Sequence, residues 1–485
     1  MKLNYSEYKD KVYACWVGKN IGGTMGTPYE GRRETQNITG FATEPNVILP
    51  NDDLDLQLVW LHAVESVGPY GLDSKKLGEF WLSYITPFWN EYGIGKVNMK
   101  RGLVPPLSGD YENTWSHSNG AWIRTEIWAS LAPASPDTAA KYAIEDAMVD
   151  HGSGEGTIAA AFVAAMQSAA FVEKNIRTLI EIGLSKIPAE SRVAQSIRLL
   201  ISCYESGVPA MEARERILKQ NEDIGDGWFE APSNVAYAVL GLLYGEGDFK
   251  KSMITAINCG DDTDCTGATV GATLGIIGGL KAIPEDWKAY IGDGIVTISL
   301  AGGVLYGIPK TCTELTERVA AAAPVMLIAG KTGVSLTEGA SEIPENIGEA
   351  FKKGGKTLER LTELKPYQFD CDLGVASVTV TFDGPPEIRP EGEKKIHLRF
   401  KNNVDVFGSV PYYLELRWIL PEGIYIEGGQ SSVRLPHVNA HYDGTYDMDV
   451  TVKAALAVEP VNRLALEVTA EGRGQARYVP LVLLG

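Results

Sequence analysis

The residues that most restrict how this chain can fold are the acids of Gly260-Asp261-Asp262-Thr263-Asp264-Cys265-Thr266-Gly267, set between the apolar runs 253–257 and 268–277. An unpaired carboxylate inside apolar structure is costly enough to take up a proton instead, so acids in such a place are usually paired or bound to a cation. No Lys or Arg lies between Lys251 and Lys281 to do the pairing. Capping of a helix start accounts for one Asp comfortably, since its oxygen accepts free N–H groups and suits the helix dipole, but it accounts for three poorly.

A second acidic knot repeats the arrangement. Pro50-Asn51-Asp52-Asp53-Leu54-Asp55 runs straight into Leu56-Gln57-Leu58-Val59-Trp60-Leu61. Two such helix mouths can face each other across one cation site. Their donors are Asp and Asn oxygens with no His or Cys cluster nearby, which favours hard cations, Mg2+, Mn2+ or Ca2+, over zinc. The spacing excludes an EF-hand, because no Asp-x-Asp-x-Asp-Gly loop with its closing Glu occurs. Gly22-Gly23-Thr24-Met25-Gly26 lacks the Lys-Ser/Thr ending and the preceding strand of a phosphate loop. No Gly-x-Ser-x-Gly elbow is present, and Cys265 sits among acids that raise a thiol's pKa, so nucleophilic Ser or Cys catalysis is disfavoured.

Four segments, in order, resemble the ADP-ribosylglycohydrolase family between roughly residues 10 and 325: Gly22-Gly23-Thr24-Met25-Gly26-Thr27-Pro28-Tyr29-Glu30-Gly31, Asn51-Asp52-Asp53, Ser118-Asn119-Gly120-Ala121-Trp122-Ile123-Arg124 with His151 after it, and Gly260–Cys265. The resemblance implies that Asn51, Asp52, Asp53, Asp262 and Asp264, with Cys265 or Thr266, hold two Mg2+ ions, Mn2+ or Ca2+ being the alternatives. It implies that Glu30 sits over the reacting ribose and with Asp53 carries catalysis, and that Asn119, Gly120 and His151 bind substrate. On its own surroundings His151 reads equally as a satisfied core histidine.

Three positions depart from the family's pattern. Asn51 stands in place of a hydroxyl ligand, Leu54 in place of a Thr, and Cys265 in place of the late Ser/Thr. A thiol is a soft, poor partner for Mg2+. Three arrangements stay open: Thr266 supplies the oxygen, one ion is held weakly, or a different cation is used. The activity implied is metal-dependent hydrolysis of a glycosidic bond to ribose, resembling removal of ADP-ribose from a modified side chain or small conjugate. The alternatives are a hydrolase of another nucleoside or glycoside, and a non-catalytic crystallin-like or scaffold protein on the same fold.

At 485 residues the chain exceeds what one core supports, so it is expected to be multidomain. Residues 1–330 read as an all-α ADP-ribosylglycohydrolase-like catalytic domain, with helices over 74–89, 136–149, 156–171, 189–206, 210–220, 235–243 and 250–258 broken by Gly, Pro, Asn and Asp. Residues 331–368 read as a linker with helical segments. From 369 to 485 the two-residue alternation of strands takes over, and some seven strands over that length point to an all-β, immunoglobulin-like sandwich. Tyr412, Tyr413, Trp418, Tyr425 and Tyr442 there are either a sugar-stacking platform or, more in keeping with strand spacing, core. Asp223, Asp226 and Trp228 lie in a loop that could line the helical domain's cleft.

A net charge of −18, from 62 acids against 44 bases, opposes nucleic-acid or anionic-membrane binding. The expected partner is a small-molecule or ADP-ribosylated substrate. Six cysteines form no paired framework and the N-terminus has no apolar leader core, both of which fit the cytoplasm.

Overall fold

The computed structural model describes residues 1–301, 305–353, 355–403, 411–439 and 442–485, and the side chains of Asp226, Asn439 and Tyr442 also lie outside the described residues. The chain divides into two units, Met1–Lys96 with Asn113–Leu364, and Val97–Glu112 with Lys365–Gly485.

In the first unit, a glycine seam sets the late acidic motif against the end of the opening helix. The opening helix Tyr5–Gly26, capped by the Asn4 side chain on Glu7 N–H, carries Ala14, Gly18, Gly22 and Gly26 four residues apart on one face. Helix Thr263–Gly278 presents Gly267, Gly271 and Gly275 at the same spacing. The backbones touch: a Cβ on Gly18 would lie 2.2 Å from Gly271 O, on Gly22 2.1 Å from the Gly267 carbonyl carbon, and on Gly275 2.3 Å from Ala14 O. Any larger side chain along this seam would push the helices apart, which fixes where Asp262 and Asp264, at the start of the second helix, stand relative to Glu30, just beyond the first. The Ala-rich helix Glu155–Ala169 is buried over nearly its whole length and extends the small-residue core. No described helix is long and apolar enough to cross a membrane.

Helix limits follow the punctuation in the sequence closely, as in Pro136–Ala147, Arg192–Glu205, Ala210–Asn221 and Phe249–Ile257. The expected helix over 74–89 is shorter, ending at Tyr84; Pro87 prevents its continuation, and a new helix begins at Asn90. The stretch read as a linker docks on the helical unit up to Leu364. Ser335–Thr337 pairs in parallel with Lys2–Asn4, Thr357 donates to Asp137 at 2.9 Å, and Arg360 bridges Glu145 at 2.7 Å.

The second unit contains two larger antiparallel sheets. One has the strand order Gln368–Asp372, Ala376–Phe382, Glu393–Asn402, Thr445–Ala454, Ile424–Gly428, and the other Ala476–Leu484, Val461–Ala470, Tyr412–Ile419, Ser432–Leu435. Alternate residues point inward, as Val378, Val380 and Phe382 do, and both sheets share one apolar core, consistent with a β-sandwich. The nine strands of these two sheets exceed the seven expected. Leu103, Leu107 and Tyr111, which precede the β region by more than two hundred residues, are buried in the same core. Among the described side chains no aromatic platform forms: Tyr412 and Trp418 pack against the core, while the exposed Tyr413 and Tyr425 lie on different sheets.

Candidate functional site

A cavity of about 570 Å³ opens in the helical unit between the two acidic motifs, lined among others by Glu30, Asn51, Asp52, Glu91, Tyr92, Ser118, Asn119, Gly120, Asp262, Asp264 and Cys265. The late motif is aimed by backbone that few residues adopt. Gly260 and Asp261 both have left-handed φ, 78° and 63°, and Gly260 packs so tightly that a Cβ would sit 2.3 Å from Glu34 O. Asp261 does not line the cavity. Its carboxylate accepts from Asn234 Nδ2 at 2.8 Å and Phe229 N–H at 3.1 Å, and its backbone exchanges bonds with Gly31 and Arg32. One of the three acids of the Gly-Asp-Asp-x-Asp run therefore ties the loop after Glu30 to the loop carrying Phe229, leaving the other two to face inward.

Asp262 and Asp264 approach each other and Cys265 within 4.8 Å, so the three could share one ion. Asp262 Oδ2 accepts from Asn119 Nδ2 at 2.6 Å, while Oδ1 is buried with no hydrogen bond among the described residues. Asp52 accepts from Tyr92 OH at 2.8 Å. Burial, and then Asp264, push the carboxyls of both Asp52 and Asp262 above the usual range; burial does the same to Asp264. Asp264, followed by burial, Asp52 and Asp261, lifts Glu30 to about 8. Asp264 is thus the charge that raises its neighbours, and no cationic side chain among the described lining residues offsets it, the condition in which a bound cation is worth most. An oxygen without a partner, mutually repelling carboxylates and an all-oxygen donor set beside one thiol make Asp52, Asp262 and Asp264 a fit for a divalent cation.

The other residues expected to hold metal are placed differently. Asn51 spends its amide oxygen on capping Asp53 N–H at 2.7 Å and turns its NH2 toward Asp264 at 3.5 Å, so it presents a donor to that acid rather than an oxygen to the cavity. Asp53 is fully buried and does not line the cavity. Its carboxylate lies 3.6 Å from Lys19 Nζ and accepts from Cys265 Sγ at 3.3 Å. Lys19 also meets Glu126 at 3.1 Å and donates to Ile123 O at 2.6 Å. Thr266, fully buried, donates to Thr263 O at 3.2 Å and does not reach the cavity. Of the two candidates for the late ligand, Cys265 is the one that faces the acids. Burial, with the surrounding aspartates, pushes its thiol well above the ordinary range.

His151 is a core histidine. It is fully buried behind the wall, with Nε2 3.1 Å from Ser118 Oγ, Nδ1 2.9 Å from Asp150 Oδ1, and Glu91 3.9 Å away. Asn119 and Gly120 do line the cavity. A Cβ on Gly120 would lie 2.3 Å from Glu91 Oε1, so the glycine makes room for that carboxylate. Of the loop 223–228, Asp223 pairs with Arg192 away from the cavity, and Trp228 stacks on Phe229, which is the residue that lines it.

Lys19, Glu91 and Tyr92 are functional-region residues that motif reading passes over. Lys19 was signalled by its setting, a single cation in the otherwise uncharged run from Val12 to Tyr29. Glu91 and Tyr92 follow two exposed aromatic residues and carry no comparable signal.

Among solved structures, the chain is similar to an ADP-ribosylglycohydrolase-related protein complex, at 20% identity over 66% of this chain and 98% of that one, with a TM-score of 0.41. It is also similar to a FixG-related protein from Vibrio parahaemolyticus, at 10% identity over 23% of this chain and 97% of that one, with a TM-score of 0.19. A third is the GAE domain of GGA2p from Saccharomyces cerevisiae, at 13% identity over 24% of this chain and 96% of that one, with a TM-score of 0.18. No curated protein matches the sequence. The family model described as ADP-ribosylglycohydrolase matches residues 4–323, the span that holds the glycine seam, both acidic motifs and the cavity between them, and the chain belongs to that family.

Proposed function

We propose that the protein is a cation-dependent hydrolase of a glycosidic bond to ribose. The observation that carries this is the set of cavity carboxylates, Asp262 and Asp264 buried and Asp52 half-buried, gathered without a cationic side chain among the described residues that line the cavity. A protein that used the cavity only for packing would gain stability by replacing them. Asp52, Asp262 and Asp264 would hold the ion and Cys265 would stand beside it; once bound, it would supply a positive field and fixed positions for sugar hydroxyls.

The chain's own groups do the rest. Glu30, which lines the cavity beside Asp264, can exchange a proton with the reacting groups there, as the general acid or base of the reaction. Asn119 orients Asp262 and Tyr92 orients Asp52. Lys19 neutralises Asp53 behind the wall, so Asp53 acts by positioning Cys265 and the Asp52 helix start and not by touching the sugar. Ribosyl release from ADP-ribosyl-arginine, ADP-ribosyl-serine, O-acetyl-ADP-ribose and unmodified nucleosides, measured with Mg2+ or Mn2+ and with chelator, tests the reading. Cleavage of at least one of them that stops with chelator and with Glu30→Gln is expected. Cleavage that survives both, or no cleavage at all, would refute it.

A further inference from the structure

The opening helix ends just before Glu30, and its first turns, through Lys11, line a second cavity of about 620 Å³ in the helical unit. The late helix runs the other way, with the acids at its start and Ile277, Gly278 and Lys281 at or beyond its end. Its 16 residues, at 1.5 Å each, put about 24 Å between the two places. The remaining walls are Phe171, Val172 and Lys174, after the central helix, and Ser341 with Ile343. Ser341 and Ile343 lie beyond residues 4–323, so the family's span alone does not supply this wall.

Lys11, Lys174 and Lys281 meet there in a chain whose net charge is −18. Capping accounts for Lys11 in part, since its Nζ donates to Phe171 O at 2.8 Å and stands 3.5 Å from Ala170 O and Ile277 O, at the ends of two helices. It does not account for Lys174 or Lys281, which are exposed and make no ion pair among the described residues. Burial, then Lys174, lower Lys11 to about 8, with Lys281 adding to them against Glu7 and Asp10. The two acids are turned to neutral donors, Glu7 Oε2 taking the Ser341 hydroxyl at 2.9 Å and Asp10 Oδ2 the Leu280 N–H at 3.1 Å. The amines therefore repel one another, and an anion between them would relieve all three.

Apart from these charges the walls are largely apolar, with Leu3, Tyr8, Phe171, Val172 and Ile277, and with Ile343, 41% exposed, at the edge. The volume falls within the roughly 300–1,000 Å³ of small-molecule sites. A bare inorganic anion would use the amines and leave the apolar walls wet, while a neutral apolar molecule would leave three ammonium groups crowded. We infer that this cavity binds a small amphipathic anion, its carboxylate or phosphate head at Lys11, Lys174 and Lys281 and its apolar body against Phe171, Val172 and Ile343.

Calorimetric titration of the full chain at neutral pH with octanoate, octyl phosphate, octanol, octylamine and inorganic phosphate tests it. Octanoate or octyl phosphate should bind once per chain, at least about tenfold tighter than octanol or octylamine, which lack the head, and than inorganic phosphate, which lacks the body. Whichever of the two anions is tighter identifies the head. Replacing both exposed lysines, Lys174→Ala with Lys281→Ala, should weaken that anion by about tenfold, and Ile343→Asp by at least as much, since it sets a carboxylate against the apolar body. Lys11→Met should weaken it further; because Lys11 also caps two helix ends, the exposed variants carry the test should that protein fold poorly. No binding of either anion, octanol, octylamine or inorganic phosphate within about tenfold of the tighter one, or an affinity unmoved by either the lysine pair or Ile343→Asp, overturns the inference.

Discussion

Two clusters of buried charge lie on either side of Gly120, and they are built in opposite ways. On one side Arg124, with no exposure, is clasped by Asp150 at 2.8 and 3.1 Å and by Asp146 at 2.9 Å, and its guanidinium lies over Trp81. Burial pushes the Asp150 carboxyl up, but Arg124 and His151 more than offset it and leave it below the usual range. Asp146, with a single guanidinium N–H and the Trp128 indole, stays raised at about 6. On the other side Asp52, Asp262 and Asp264 are all raised, with side-chain amides, a phenol and each other for company. The first cluster is complete within the chain and holds the Asn119-Gly120 turn in place. The second has no cationic side chain among the described residues that line the cavity, and that difference is what the cation reading rests on.

The largest effect should come from breaking the complete cluster. Arg124→Met leaves two buried carboxylates without their cation, which costs about 3–5 kcal/mol. Thermal or urea unfolding should show that loss with or without divalent cation. A variant that melts within about 1 kcal/mol of the parent would show that the clasp is not structural.

Much of the fold was legible in the sequence because its signals are local. Pro136, Pro209 and Pro232 mark helix starts, Gly and Asn mark ends, and the two-residue period of Ser377–Phe382 or Arg463–Val468 reads directly as strand. The four motifs of the site were legible as segments, but the direction of each side chain was not. Cys265 and Thr266 are neighbours on one helix turn, and only the seam between Gly22 and Gly267 decides that the thiol faces the acids and the hydroxyl faces its own backbone. Lys19 was not legible as the partner of Asp53 because it lies in the opening helix, far along the sequence from the acids, and only the fold brings the two together. Leu103, Leu107 and Tyr111 were missed as sandwich core because they sit inside a helical stretch of sequence and have no alternation of their own.

The second cluster should respond to what the first ignores. A divalent cation at one hundred times its dissociation constant should stabilise the chain by about 2.7 kcal/mol, read as a rise in melting midpoint with Mg2+, Mn2+ or Ca2+. Asp262→Asn removes a like charge, so without cation it should melt at or above the parent, and with cation it should lose most of the rise. If none of the three ions moves the parent's midpoint, the cluster is not a cation site.

The pH dependence separates the clusters further. A carboxyl raised by folding binds its proton more tightly in the folded state, so its contribution is complete below the unfolded value and is lost as pH rises through the folded one. With chelator present, stability should therefore fall as pH rises from about 4, with Glu30 still contributing to the fall near pH 8. Saturating Mg2+ should flatten that fall, because the ion favours the charged forms. In Glu30→Gln the upper part of the fall, near pH 8, should shrink while the lower part stays. A chelated protein as stable at pH 8 as at pH 5 would contradict the assignment.

The smallest effect concerns the thiol. Cys265 Sγ stands 3.3 Å from Asp53 Oδ1 and belongs to the same tight group as Asp262 and Asp264, whereas the Thr266 hydroxyl is bonded to Thr263 O. A soft donor beside hard ones weakens Mg2+ more than Mn2+. Cys265→Ser should thus tighten Mg2+ by up to about tenfold, equivalent to about 1.4 kcal/mol, and narrow the preference for Mn2+, while Thr266→Val should cost a little stability and leave both affinities alone. Titrating each protein with Mn2+ by electron paramagnetic resonance, and with Mg2+ in competition, reads the two affinities without any substrate. Equal affinities in all three proteins would mean that neither side chain touches the ion, and a loss confined to Thr266→Val would mean that the helix turns when the ion binds.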